Sequence, residues 1–110
     1  MGSFLSAMPK LYEYLGIVFL FYSDEHLPVH VHAQYQDFQN KLAFIYEDGV
    51  FVGLKIKKVR GFKELPLAQL SDAKIFCTVY QKQILEKWND FFILKKKIKS
   101  EKITKKIKGV

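Results

Sequence analysis

A chain of 110 residues, 49% hydrophobic and 15% aromatic, can bury one core and is too short for two independent ones. Its single cysteine, Cys77, excludes an internal disulfide framework and the four-cysteine zinc patterns and fits a reducing compartment, which points to the cytoplasm. The net charge of +7 is uneven: residues 1–94 carry 10 Lys and Arg against 10 Asp and Glu, whereas residues 95–110 carry 8 Lys against Glu101 alone.

The opening MGSFLS fits the spacing for myristoylation on Gly2, with Ser6 in the required place, but a pattern this short arises often by chance and is read as an extension ahead of Met8-Pro9. No membrane attachment is expected. The longest uncharged apolar run, Leu15 to Tyr22, has eight residues, against the roughly 18 to 20 that a bilayer requires, and Ser23-Asp24-Glu25 is no cleavage site. GIVFLFYS, residues 16–23, is short, β-branched and aromatic, and predicts a buried strand. HVHAQY continues as a second strand, with Val29, Val31, Ala33 and Tyr35 on one face and His30, His32 and Gln34 on the other. The first face is assigned to the core and the second to solvent.

QDFQN supplies a turn, KLAFIYE a third strand, and Glu47-Asp48-Gly49 a hairpin turn whose Asp-Gly pair tolerates positive φ. VFVGLKIKK, residues 50–58, sets Val50, Val52, Leu54 and Ile56 against Phe51, Gly53, Lys55 and Lys57. After Pro66 the period changes: Leu70, Ala73, Cys77, Tyr80, Ile84, Trp88 and Phe91 form the apolar stripe of a helix from about Leu67 to the low nineties, broken once. On that stripe Cys77 reads as an inert core thiol, and Trp88, Tyr80, Phe91 and Phe92 read as core, not as a base-stacking platform. The expected fold class is α+β: an antiparallel meander of about four strands covered on one face by a long C-terminal helix, in two layers, with the other sheet face partly open. Residues 8–94 form this single domain. Residues 95–110 are expected to be a lysine-rich tail, disordered or marginally helical, since like charges repel and little beyond Ile98, Ile103 and Ile107 is available to bury. Such a tail serves either as a solubilising extension or as an arm for an acidic surface, an RNA backbone or an anionic lipid.

All three histidines lie in SDEHLPVHVHAQY, residues 23–35. His30 and His32, two apart on a strand, have Cα atoms roughly 6.5 Å apart on one face, while His26 enters through a loop stiffened by Pro28. Asp24, His26, His30 and His32 therefore make up the candidate functional patch. A zinc or nickel ion would need at least three ligands, which the imidazoles and Asp24 could supply. A ribonuclease would use one of His26, His30 and His32 as base and another as acid, with cations stabilising the charged phosphorane. The remaining reading makes this a recognition surface, or a strand whose imidazoles bond to their neighbours. Lys55, Lys57, Lys58 and Arg60 on the last strand, and Lys95, Lys96, Lys97 and Lys99 in the tail, are the candidate nucleic-acid contacts.

From Met8-Pro9 through Leu15-Gly16-Ile17 and Phe21-Tyr22, the acidic Asp24 followed by His26, Pro28, His30 and His32, and on to Leu85-Glu86-Lys87-Trp88, the chain resembles the bacterial family known as domain of unknown function 4160. The likeness spans about residues 8–92 and omits the lysine tail. It implies a small bacterial protein encoded beside a second small protein, the two forming a toxin–antitoxin-like pair, and it carries no established reaction. Leu27 and Val29 stand where the family pattern has more proline and an aromatic, a departure that bears on loop stiffness. Together these readings lead to a cytoplasmic component that binds a small cognate protein and RNA, with no catalytic residue or cofactor assigned. A His-centred metal protein or ribonuclease-like enzyme is the alternative, and self-association is left open.

Overall fold

The computed structural model describes residues 8–24 and 28–108. Strands β1 (Lys10–Tyr14), β2 (Ile17–Leu20), β3 (His30–Tyr35), β4 (Phe38–Glu47), β5 (Val50–Lys58) and β6 (Glu101–Ile103) form one mixed sheet in the order β5-β4-β3-β2-β1-β6. Helices α1 (Leu67–Val79) and α2 (Gln81–Trp88), the latter continued by a π-helical turn at Asn89–Ile93, cover one face. The α+β class is as expected, but the sheet has six strands instead of four, and the helix layer is two helices.

β1 is the first addition. Leu15 and Gly16, with φ of 50° and 81°, make a two-residue turn that pairs Tyr14 with Ile17. Positive φ at both positions gives the turn the twist that a hairpin needs, and glycine carries the second without strain. β1 to β5 then run as an antiparallel meander.

β6 is the second addition, and it corrects the expectation of a disordered tail. It pairs parallel to β1, Tyr12 with Glu101 and Tyr14 with Ile103. Ile98, Ile103 and Ile107 pack against the core, and the Ile107 amide donates to the Tyr14 hydroxyl at 2.9 Å. Lys87 Nζ donates to the Lys99 carbonyl at 2.9 Å, pairs with Glu101 at 2.8 Å and lies 5.0 Å from the centre of the Tyr12 ring. Charge density alone argued for disorder. The three isoleucines and an open strand edge outweigh it, because the lysines between them point to water. Truncation after Leu94 is expected to lower stability by roughly 2 kcal/mol, the order expected for three half-buried isoleucines, and a shifted urea midpoint would show it. An unchanged midpoint would make the tail a passenger.

On the helix-covered face Ile17, Phe19, Val31, Ala33, Leu42 and Phe44 meet Ala73, Phe76, Cys77, Ile84 and Trp88. Phe76, absent from the predicted stripe, is fully buried at the centre, with ring centroids 5.2 Å from Tyr12, 4.6 Å from Phe19 and 4.4 Å from Tyr80. The predicted break falls at Tyr80, which caps α1 by donating to the Phe76 carbonyl and leads directly into α2.

Strict alternation along β5 also needs correcting. A bulge pairs Ile45 with Gly53 but Tyr46 with Phe51, so Val52 has no partner and the faces switch. Phe51 therefore packs toward Phe44 and Tyr46, and Leu54 and Ile56 stay on the core side. Val50 and Val52 are left 62% and 51% exposed. Among the described residues no helix is long and apolar enough to cross a membrane. The MGSFLS pattern lies outside the described residues.

Candidate functional site

β3 is a central strand, hydrogen-bonded to β2 on one side and β4 on the other. Its histidines face away from the helices, as alternation requires, yet they are not on the surface: His30 is 3% and His32 1% exposed. This overturns the expectation that they are solvent-side residues. The chain leaving β2 folds back, so that the Tyr22 ring lies flat on the His32 imidazole with centroids 3.6 Å apart and planes within 5°. Alternation reveals which face a side chain takes but not whether another segment roofs that face.

Hydrogen bonding makes the burial affordable. The Gln39 side-chain oxygen accepts from the Tyr22 hydroxyl at 2.7 Å and from His32 Nδ1 at 2.8 Å. His30 Nδ1 donates to the Pro28 carbonyl at 2.6 Å. Both acceptors lack a proton to give, so each imidazole carries its hydrogen on Nδ1, and in the neutral ring the lone pair is on Nε2. The two rings meet edge to face, 5.4 Å between centroids. Buried Asn40 does similar work on the other face: it donates to the Lys57 carbonyl at 3.1 Å and to Glu64 at 3.2 Å, and accepts from the Leu65 amide at 2.9 Å. It thereby ties the segment after β5 beneath the sheet. The bonding roles of Tyr22, Gln39 and Asn40 were not legible in the sequence because they depend on strand register, and Phe38, Gln39 and Asn40 belong to β4, not to the QDFQN turn.

Of the other candidates, Asp24 is exposed and His26 lies outside the described residues. Among the described residues no group of three His, Cys, Asp or Glu side chains is placed to hold a metal ion. The His30–His32 pair provides the donor type that zinc or nickel takes, without a third described ligand.

Register places cations beside the histidines. One row across the sheet reads Leu20, His32, Lys41, Lys57, and the next reads His30, Ala43, Lys55. Lys41 and Lys57 are directly opposed across β4 and β5. Among the described residues Lys55, Lys57, Lys58 and Arg60 form no ion pair. Tail residues Lys95, Lys96 and Lys97 instead line a groove with Ser23, Phe91 and Phe92. Lys99 is exposed, and its carbonyl is held by Lys87. The two lysine groups, presumed alike from composition, thus belong to different surface features. Cys77 is fully buried, and burial pushes its thiol well above the usual range, so it lacks the thiolate that nucleophilic chemistry needs.

Compared with known proteins, residues 16–89 match a family model described as a domain of unknown function, DUF4160. No curated protein and no solved structure matches the chain.

Proposed function

The chain belongs to the DUF4160 family, and from that premise we propose that it is a noncatalytic binding component, docking a cognate protein along the free edge of β5. Its setting in this reading is a bacterial cytoplasm, as one member of a toxin–antitoxin-like pair encoded together. The observation that carries the proposal is the edge itself. β5 runs for nine residues, pairs with β4 on one side and, among the described residues, ends the sheet on the other. A row of unpaired backbone groups of that length is a template for another strand.

The side chains indicate which strand would fit. Exposed Val50 and Val52, with Ile45 nearby at 40% exposure, make one end apolar, and Lys55, Lys57 and Lys58 make the other end cationic. Lysines on an edge oppose self-pairing and favour an extended segment that is apolar at one end and acidic at the other. The buried, internally bonded imidazoles support the same reading. Acid–base cleavage of RNA needs rings that reach a phosphate, whereas His32 is stacked under Tyr22.

The test is affinity for the product of the adjacent gene. Charge reversal by Lys55→Glu with Lys57→Glu should weaken binding at least about tenfold, and Val52→Glu should do the same from the apolar end. Unchanged affinity in both would exclude this edge. The alternative of a His-centred metal or ribonuclease-like site would gain from stoichiometric zinc or nickel in tag-free protein, or from RNA cleavage that falls with His26 replacement.

A further inference from the structure

The tail lysines and the end of the helix layer frame a feature that the β5 reading does not use. Ser23, Phe91, Phe92, Lys95, Lys96 and Lys97 line a groove of about 470 Å³. We propose that this groove binds one nucleotide unit of a single-stranded RNA, its base against Phe91 and its phosphate among the three lysines.

The backbone is what brings aromatic rings and cations together here. The π-helical turn Asn89–Ile93 follows α2, and the chain leaves it with Leu94 N donating to the Asn89 carbonyl at 3.0 Å and Lys96 N to the Asp90 carbonyl at 2.8 Å. Lys95 adopts a left-handed φ of 57°. After this reversal Lys95–Lys97 line the groove together with the rings instead of continuing the helix. Single π turns inside helical segments recur at functional sites. Phe21 braces the rings from beneath, 6.0 Å from Phe91 and 5.3 Å from Phe92, and Phe91 is itself set edge-on to Phe92 at 4.8 Å. Phe92 is buried while Phe91 is half-buried, so Phe91 is the ring that offers surface to a ligand.

Charge and shape narrow the ligand. Lys95, Lys96 and Lys97 are exposed and form no ion pair among the described residues. Three ammonium groups beside an aromatic ring suit a ligand that is both anionic and flat. The Ser23 hydroxyl can donate to a phosphate oxygen. Volume sets the length: the groove suits one nucleotide and not a strand of many. A duplex hides its base faces, so an unpaired base is required.

Fluorescence anisotropy with a labelled oligoadenylate of eight nucleotides tests the assignment on the full chain. Phe91→Leu keeps an apolar side chain of similar size. It should weaken binding roughly tenfold while the chain stays folded with at most a small drop in the unfolding midpoint, because the flat face for base stacking is lost and only the ring contacts with Phe21 and Phe92 go with it. Lys95→Ala with Lys97→Ala, at exposed positions, should weaken it further and flatten the salt dependence. Lys55→Glu with Lys57→Glu should leave it unaltered, which separates this groove from the β5 edge. Inorganic polyphosphate should compete poorly. Equal binding by Phe91→Leu, or competition by polyphosphate as strong as by RNA, would reduce the groove to a nonspecific polycation. Tighter binding of polyglutamate than of oligoadenylate would assign it to acidic protein instead.

Discussion

Phe76→Ala is expected to cost about 4 kcal/mol, the largest loss for any single substitution in this chain. The ring is fully buried and touches both layers at once, with Tyr14 at 5.1 Å and stacked Phe19 at 4.6 Å on the sheet side and Tyr80 at 4.4 Å on its own side. Alanine removes the transfer free energy of the ring and also leaves a cavity that β-strands on one side and a helix on the other cannot collapse to fill. Aromatic pairing adds to the loss beyond area. Urea denaturation monitored by Trp88 fluorescence measures it. A loss below about 1.5 kcal/mol would mean that the two helices dock on the sheet through something other than this residue.

His32→Ala should cost about 3 kcal/mol, a result opposite to that for a surface imidazole, whose removal shifts stability by less than about 0.5 kcal/mol. The ring fills space between β2 and β4 under Tyr22, and its loss leaves the Gln39 oxygen with one donor fewer in a buried setting. Tyr22→Phe keeps the stacked ring and deletes only the hydroxyl that donates to Gln39, so it should cost about 1 kcal/mol. The pair should be non-additive in a double-mutant cycle, since both donors converge on one oxygen. Stability within about 0.5 kcal/mol of the parent for His32→Ala would return the histidine to the surface and reopen the catalytic reading.

The residues that the sequence displayed well were those with local pattern. HVHAQY alternates cleanly, and the structure puts Val31 and Ala33 in the helix-facing core with His30 and His32 on the other face. Ala73, Cys77, Ile84 and Trp88 recur at helical spacing, and all are buried. What escaped the pattern depended on distant segments. Nothing near His32 announces that Tyr22 will fold over it or that Gln39 will bond it, because a strand seven residues on must first align in register. β1 and β6 were invisible for a related reason: a five-residue strand and a three-residue strand are too short for periodicity, and the second has a neighbour far upstream in sequence. The β5 bulge turned an apparently regular apolar face into two exposed valines, and a single extra residue was enough to do it.

Edge docking predicts a change in protection along that exposed edge. Hydrogen exchange should be followed at residues 50–58 in the free chain and in its complex with the product of the neighbouring gene. If a partner strand adds to the sheet, the β5 amides that face away from β4 should exchange at least about tenfold more slowly in the complex, while α1 and α2 keep their free-state rates. A stable complex in which β5 exchange is unchanged and protection appears elsewhere would contradict edge docking.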